Sequence, residues 1–385
     1  MITWQEIIEA EEPGERTHYG SLCAGIEVYR QSRSLLVIPP DDGFRVMCTG
    51  YCNGGFVESP EAVVNTTGFG GDLEMTMMPE PLEVHNECSR MHFSKLGLDP
   101  DRVVSLSTAA NMGNAALYTA GYDGGEVSIA ITGGVRGNGG RAGDPAKHDE
   151  AVKYLERKGT IITILCIDAP LSDGAMLDAM TIAVETKSCV LQELMARSLY
   201  STGIATGSGT DQVAIMCRKG DDPLESIGRD SGLAEAIAKC VWIGLYETLD
   251  RQSAMNHVTQ LDCLVSLSRF GITPRGMREE LRFDSTMSNL DSAEKEVSSD
   301  PRNASVFYAM LAVHDRTETG LVEPSEGLSF VKRMCQKLLL DGMDLNPVMR
   351  LRLERTEDIP THLRLVLAIM VQQRATELGG YDYVQ

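Results

Sequence analysis

The sequence predicts an α/β or α+β domain at the amino end followed by an all-helical region. Three observations carry this. Short β-branched runs alternate with helical stretches as far as Cys217, and from Ser231 onward apolar residues recur at helical spacing. Between them stand the turn-forming Asp221-Asp222-Pro223 and the stretch from Gly228 to Gly232. The expected domains are therefore 1–222 and 223–385.

In the first region, Ser34 to Ile38 and Arg45 to Thr49 read as strands, and Pro39-Pro40-Asp41-Asp42-Gly43 between them predicts a hairpin. Gly113 to Gly121 reads as a helix. Glu126 to Thr132, Thr160 to Ile167 and Gln212 to Cys217 are apolar, β-branched strand candidates, with a helix expected over Ser172 to Arg197. Beyond the joint, helices are expected at 233–250, 254–269, 274–281, 305–314, 324–340 and 362–378, divided by Gly, Pro and Asp-Pro breaks. The polar residues 284–303 are expected to form an exposed loop between two helical groups.

Composition narrows the function. A chain of 385 residues with 43% hydrophobic and 23% charged residues is long enough for two folded domains. A formal charge of −20 argues against a nucleic-acid surface, which needs clustered Lys and Arg. No run reaches the ~18 apolar residues of a membrane span, and the first residues lack the basic start of a signal peptide, so a cytoplasmic protein without a membrane partner is expected. The ten cysteines, scattered from Cys23 to Cys335, then read as reduced core residues. Seven histidines include only His85 and His92 within one segment and no His-x-x-x-His pair, so no metal site is predicted.

The chemistry concentrates between 132 and 215. There, Thr132-Gly-Gly-Val-Arg-Gly-Asn-Gly-Gly-Arg-Ala-Gly-Asp-Pro145 follows a strand candidate, and Val184-Glu-Thr-Lys187 lies in the helical stretch. Ala205-Thr-Gly-Ser-Gly-Thr-Asp211 then precedes the next strand. Glycine at this density lets backbone N–H groups approach a ligand. No Gly-Lys-Ser/Thr follows at P-loop spacing, and no Gly-x-Ser-x-Gly elbow is present.

These segments, together with the Cys52-Asn-Gly-Gly-Phe56 core, Ala62-Val-Val-Asn65 and Leu106-Ser-Thr-Ala-Ala-Asn-Met112, resemble the adenosylcobinamide amidohydrolases, the CbiZ-type corrinoid-salvage enzymes. The match spans roughly residues 44 to 217. The resemblance implies hydrolysis of adenosylcobinamide, releasing aminopropanol and giving adenosylcobyric acid. The corrinoid is then a small-molecule substrate and not a cofactor, and no cofactor is implied. Two alternatives stay open: hydrolysis of another tetrapyrrole-linked amide, and non-catalytic corrinoid binding. Self-association into a homo-oligomer is a further expectation, since an apolar helix such as Leu233 to Leu249 must pack on a core or a partner.

Amide cleavage needs a nucleophile, a proton donor for the leaving amine and donors for the oxyanion. Lys187 interrupts the apolar series Leu177, Met180, Val184, Leu191 and Leu194, so its ammonium either snorkels to solvent or points into a cleft. Glu185 lies on the opposite face, as solvated surface, as a helix anchor or as a second site group. Asp211 and Thr210 form a polar pair or cap a local turn, with Thr206 beside them. Thr108 is a candidate nucleophile or a cap. Asn138 and Arg141 are candidate donors to propionamide groups or an oxyanion, Asp144 is a candidate contact or turn residue, and Asn53 and Asn65 are candidate donors to the rim of the macrocycle.

Overall fold

The computed structural model describes residues 3–68, 82–146, 160–280, 289–343 and 345–379. The chain divides into two compact units, Met1–Asn256 and His257–Gln385. The described strands of the first unit begin with β1 (Thr17–Ser21), β2 (Glu27–Gln31), β3 (Ser34–Ile38), β4 (Phe44–Cys48), β5 (Gly55–Glu58), β6 (Ala62–Thr67) and β7 (Val103–Thr108). They continue with β8 (Ala116–Tyr122), β9 (Gly125–Gly133), β10 (Gly139–Gly140), β11 (Ile161–Pro170), β12 (Gly207–Ser208) and β13 (Gln212–Arg218). Its helices are α1 (Trp4–Ala10), α2 (Leu82–Lys95), α3 (Asp173–Glu193) and α4 (Gly232–Ser253).

The strands form a five-stranded sheet ordered β1-β2-β3-β6-β7, a six-stranded sheet ordered β5-β4-β13-β11-β9-β8, and the short ladder β10-β12. The β6–β7 and β11–β13 pairs are parallel, and the other pairs are antiparallel. Strand periodicity explains the layering. In β11, Ile162, Ile164 and Cys166 join Val37, Val63 and Val104 of the other sheet in one core. Their alternates Ile161, Leu165 and Ile167 join α3 and α4 in another. The far face of the five-stranded sheet, through Leu36, Val64 and Val103, packs on Phe93 of α2. The unit is thus a four-layer helix–sheet–sheet–helix sandwich, and strands buried on both faces read as continuous apolar runs.

Several expectations change. The hairpin between the first two predicted strands does not form, because β3 pairs with β2 and β6 while β4 pairs with β13 and β5 in the other sheet. The true tight turn precedes β3, where Ser32 takes a positive φ of 51°. The helix expected over 113–121 is strand β8. Its Ala-rich sequence is overridden by pairing with β9 across the Asp123-Gly124 turn, with Gly125 at a φ of 146°. Helix α4, which the sequence places in the C-terminal region, packs on β8, β9 and α3 and belongs to the first unit. Gly244 permits that approach, since a Cβ there would lie 2.8 Å from Ile131 Cγ2.

The second unit contains α5 (His257–Gln260), α6 (Cys263–Leu267), α7 (Pro274–Glu280), α8 (Leu290–Ser298), α9 (Pro301–Glu318), α10 (Pro324–Leu338), α11 (Pro347–Glu354) and α12 (Ile359–Gly379). Around α12, Leu363, Val366, Leu367 and Val371 meet Phe307, Val331 and Cys335 in one core. The single helix expected over 254–269 is interrupted because Asp262 caps a new helix through Leu264 and Val265 N–H. Part of the expected loop 284–303 is α8, whose Ala293 and Val297 are buried, and 284–288 lie outside the described residues, as does Leu281 of the predicted 274–281 helix. No helix among the described residues is long and apolar enough to cross a membrane. All ten cysteines are free and only Cys189 is exposed.

Candidate functional site

The site lies at one end of the six-stranded sheet, past the carboxyl end of β9 and before the amino ends of β11 and β13. The loop leaving β9 turns back at once: Gly139 N–H donates to Val135 O at 2.7 Å, and a Cβ at Gly139 would lie 2.8 Å from Arg197 O. Only glycine fits there. The loop then pairs with β12, Gly139 opposite Ser208 and Gly140 opposite Gly207. This ladder, with α3 beside it, walls an open cavity of about 610 Å³, within the range of small-molecule sites.

At its floor stands an ion pair. Lys187 Nζ donates to Asp211 Oδ2 at 2.5 Å, and both side chains are about nine-tenths buried (9% and 10% exposed). Asp211 is also held by Ser208 N–H at 2.9 Å on Oδ2, and by Ile161 N–H at 2.9 Å and Ser208 Oγ at 2.6 Å on Oδ1. Four donors on one carboxylate compensate its removal from water. Gly207 makes the approach possible, since a Cβ there would lie 2.9 Å from Lys187 Nζ.

The wall that continues from the ladder carries Arg141 and Asp144. Asp144 Oδ2 accepts from Arg141 N–H at 2.7 Å and from Ser198 Oγ at 2.5 Å. Partial burial pushes its carboxyl up, but the hydrogen bonds from Ser198, Ser201 and the Arg141 backbone, with the Arg141 charge, outweigh it and hold the group below its usual range. Thr206 Oγ1 accepts from Ala142 N–H at 2.9 Å, tying the two loops together. Behind this wall, Asn138 is buried, donating to Thr210 Oγ1 at 3.3 Å and accepting from Tyr200 OH at 2.6 Å. Thr210 also meets Thr160.

The structure therefore gathers Lys187, Asp211, Arg141, Asp144 and Thr206 around one cavity, with Asn138 and Thr210 supporting it. Four sequence candidates lie elsewhere. Glu185 is on the exposed face of α3 and forms a two-pronged pair with Arg229, at 2.8 Å to Nε and 2.5 Å to Nη2, which lowers its pKa. Thr108 is buried at the end of β7 in the other sheet, where its hydroxyl accepts from Ala110 N–H at 3.0 Å. Asn53 holds a left-handed turn (φ 52°) and donates to Pro100 O and Val103 O at 2.7 and 2.8 Å. Asn65 is buried in β6 and links the sheets by donating to Thr132 Oγ1 at 2.9 Å. Each is committed to local structure, which spacing in sequence does not reveal.

Sequence reasoning passed over Ser188, Tyr200 and Ser208, all of which line the cavity. Ser208 was visible, since it sits between two glycines in the motif that ends at Asp211. The two histidines of α2 are structural: burial pushes His85 down, and it stacks on Trp4 at 6.4 Å, while His92 meets Ser34 Oγ at 2.8 Å. Among the described residues no group of three or more His, Cys, Asp or Glu gathers in a metal-holding arrangement.

Fold and site together define a layered α/β protein whose sheet end carries a polar cleft built on a buried lysine–aspartate pair. The family model for adenosylcobinamide amidohydrolases, CbiZ, matches residues 20–257, more than half of the chain and nearly all of the first unit. The chain belongs to that family. It is 31% identical over 185 residues to the uncharacterized protein MJ1613 of Methanocaldococcus jannaschii, covering 44% of this chain and 72% of that one. Among solved structures it is similar to the PH0078 protein from Pyrococcus horikoshii OT3, at 11% identity and a TM-score of 0.27, covering 61% of this chain and 81% of that one.

Proposed function

We propose that the protein hydrolyses adenosylcobinamide at the Lys187–Asp211 cavity, releasing aminopropanol and leaving adenosylcobyric acid for reuse in cobamide synthesis. The observation that carries this reading is the buried ion pair opening onto a cavity within the residues the amidohydrolase family model matches. A buried lysine held by one carboxylate is a proton donor fixed in place, and the leaving amine of an amide needs one. Arg141, which also lines the cavity, is our candidate for the group that meets the carbonyl oxygen as charge develops on it.

Size fits the same reading. A cavity of about 610 Å³ takes the amide arm and the adjoining edge of a corrinoid, and its open mouth leaves the rest of the macrocycle outside. Val184, 38% exposed on the cavity wall, offers that edge an apolar contact. The corrinoid with its cobalt is substrate throughout, and the protein acts in water without a resident cofactor.

The test is to incubate the full chain with adenosylcobinamide and follow both products by mass spectrometry. Aminopropanol and the corrinoid acid should appear in equal amounts. Tight binding without either product would favour a corrinoid-binding protein, and turnover only of a different tetrapyrrole amide would retain the chemistry and change the substrate.

A further inference from the structure

Four hydroxyl side chains line the cavity, and their hydrogen bonds separate them. Ser188 Oγ donates within its helix to Val184 O at 3.0 Å and lies 3.1 Å from Thr206 O. Tyr200 OH donates to the amide oxygen of Asn138, and Thr206 Oγ1 accepts the Ala142 N–H. Ser208 differs from these. Its hydroxyl accepts from Thr210 N–H at 3.3 Å and donates to Asp211 Oδ1 at 2.6 Å, so its described hydrogen bond as donor runs to a carboxylate.

The surroundings of Ser208 favour attack. Gly207 and Gly209 flank it, so neither neighbour in the chain adds a side chain of its own, and it is only partly buried on the cavity wall. The carboxylate that accepts its proton binds the Lys187 ammonium through the other oxygen. One aspartate thus joins the hydroxyl to the proton donor, the arrangement of nucleophile, base and third group that covalent catalysis uses.

We propose that Ser208 is the nucleophile of this site, an inference that rests on the amidohydrolase reading of the cavity. Ser208 Oγ bonds to the amide carbonyl carbon as its proton passes to Asp211 Oδ1, and the negative charge develops on the carbonyl oxygen. The C–N bond then breaks, the amine nitrogen takes a proton from Lys187 Nζ, and aminopropanol leaves, with the corrinoid acyl group held as an ester on Ser208. Asp211 returns its proton to Lys187, restoring the ion pair. Water attacks the ester, giving one proton to Asp211, and the C–O bond to Ser208 breaks as Oγ takes a proton from Lys187. The acid is released, and Asp211 again reprotonates Lys187.

The experiment is acid quench during turnover of adenosylcobinamide by the full chain, followed by peptide mapping, with a parallel reaction in hydroxylamine. The wild-type chain should carry the corrinoid acyl mass on the peptide containing Ser208, and hydroxylamine should divert product to the hydroxamate. Ser208→Ala should lose turnover by roughly a thousandfold or more and show no adduct, while Ser208→Cys should still accumulate the adduct. A role for Ser208 only in holding Asp211 would lower the rate of the alanine variant without any wild-type adduct, and that result overturns the proposal. Product without adduct or hydroxamate overturns the nucleophile but leaves the amidohydrolase reading intact. Absence of product from the wild-type chain overturns both.

Discussion

At the scale of residues, the Lys187–Asp211 pair divides its roles unevenly. Asp211 is held by three donors besides the lysine, so Lys187→Met leaves a carboxylate that is still hydrogen-bonded. Asp211→Ala instead strands a buried ammonium and three donors, and should cost more than about 3 kcal/mol. Urea unfolding should therefore show the aspartate variant well below the lysine variant, and equal losses would contradict this division. Lys187 was legible in the sequence because a lysine interrupts an apolar helix, and Lys187, Leu191 and Leu194 of the expected stripe are buried, but its first half is displaced. Leu177 and Val184 are exposed, and the buried stripe runs through Met176, Ala179, Ala183, Thr186 and Val190. Neighbouring residues of the two stripes differ by one position, which periodicity alone does not resolve.

Two buried histidines set a pH dependence. Burial pushes His92 down to about 4, helped by the Arg33 and Lys95 charges, and burial with the Lys332 charge does the same to His362. For each, the folded value lies below the ordinary 6.5, so the folded state resists protonation. Their stability contribution is complete above pH 6.5 and is lost as pH falls from there through about 4, on the order of 3 kcal/mol per histidine. Melting temperature should fall across that window, and His92→Gln should flatten the part owed to the first unit. An unchanged slope in the variant would remove His92 from the account.

At the scale of elements, the long buried strands were the most legible, and β9, β11 and β13 match their sequence expectations within a few residues at each end. Element type failed where pairing overrides propensity, as in β8, and the partnering of β3 and β4 failed because two stacked sheets offer alternative neighbours. Helix α11 was readable and missed: Asn346 caps Met349 N–H and Pro347 opens the helix. The site itself depends on β10 and β12, each only two residues long, which no pattern of hydrophobicity signals. What the sequence did show was their glycines, and close backbone approach is the reason those glycines are there.

At the scale of the molecule, the first unit contains every cavity-lining residue and runs to Asn256. Helix α4 covers β8 and β9 through Ile237, Leu245 and Leu249, all fully buried. A chain ended near Lys219 should therefore expose that sheet face and aggregate, whereas one ended at Asn256 should melt cooperatively and retain the cavity. Circular dichroism melts with light scattering distinguish the two, and a soluble, cooperatively folded chain ending at Lys219 would contradict this assignment of α4.

The proposed function assigns the chemistry to the buried pair and not to the exposed face of α3. Its most direct measurement is the rate of acid formation from adenosylcobinamide by wild-type, Lys187→Met and Glu185→Gln chains of matched foldedness. Lys187→Met should fall by at least about a hundredfold, as loss of a proton donor requires. Glu185→Gln, which removes only a surface pairing with Arg229, should stay within about twofold of wild type. Wild-type rates in the Lys187 variant, or a collapse confined to the Glu185 variant, would contradict the account.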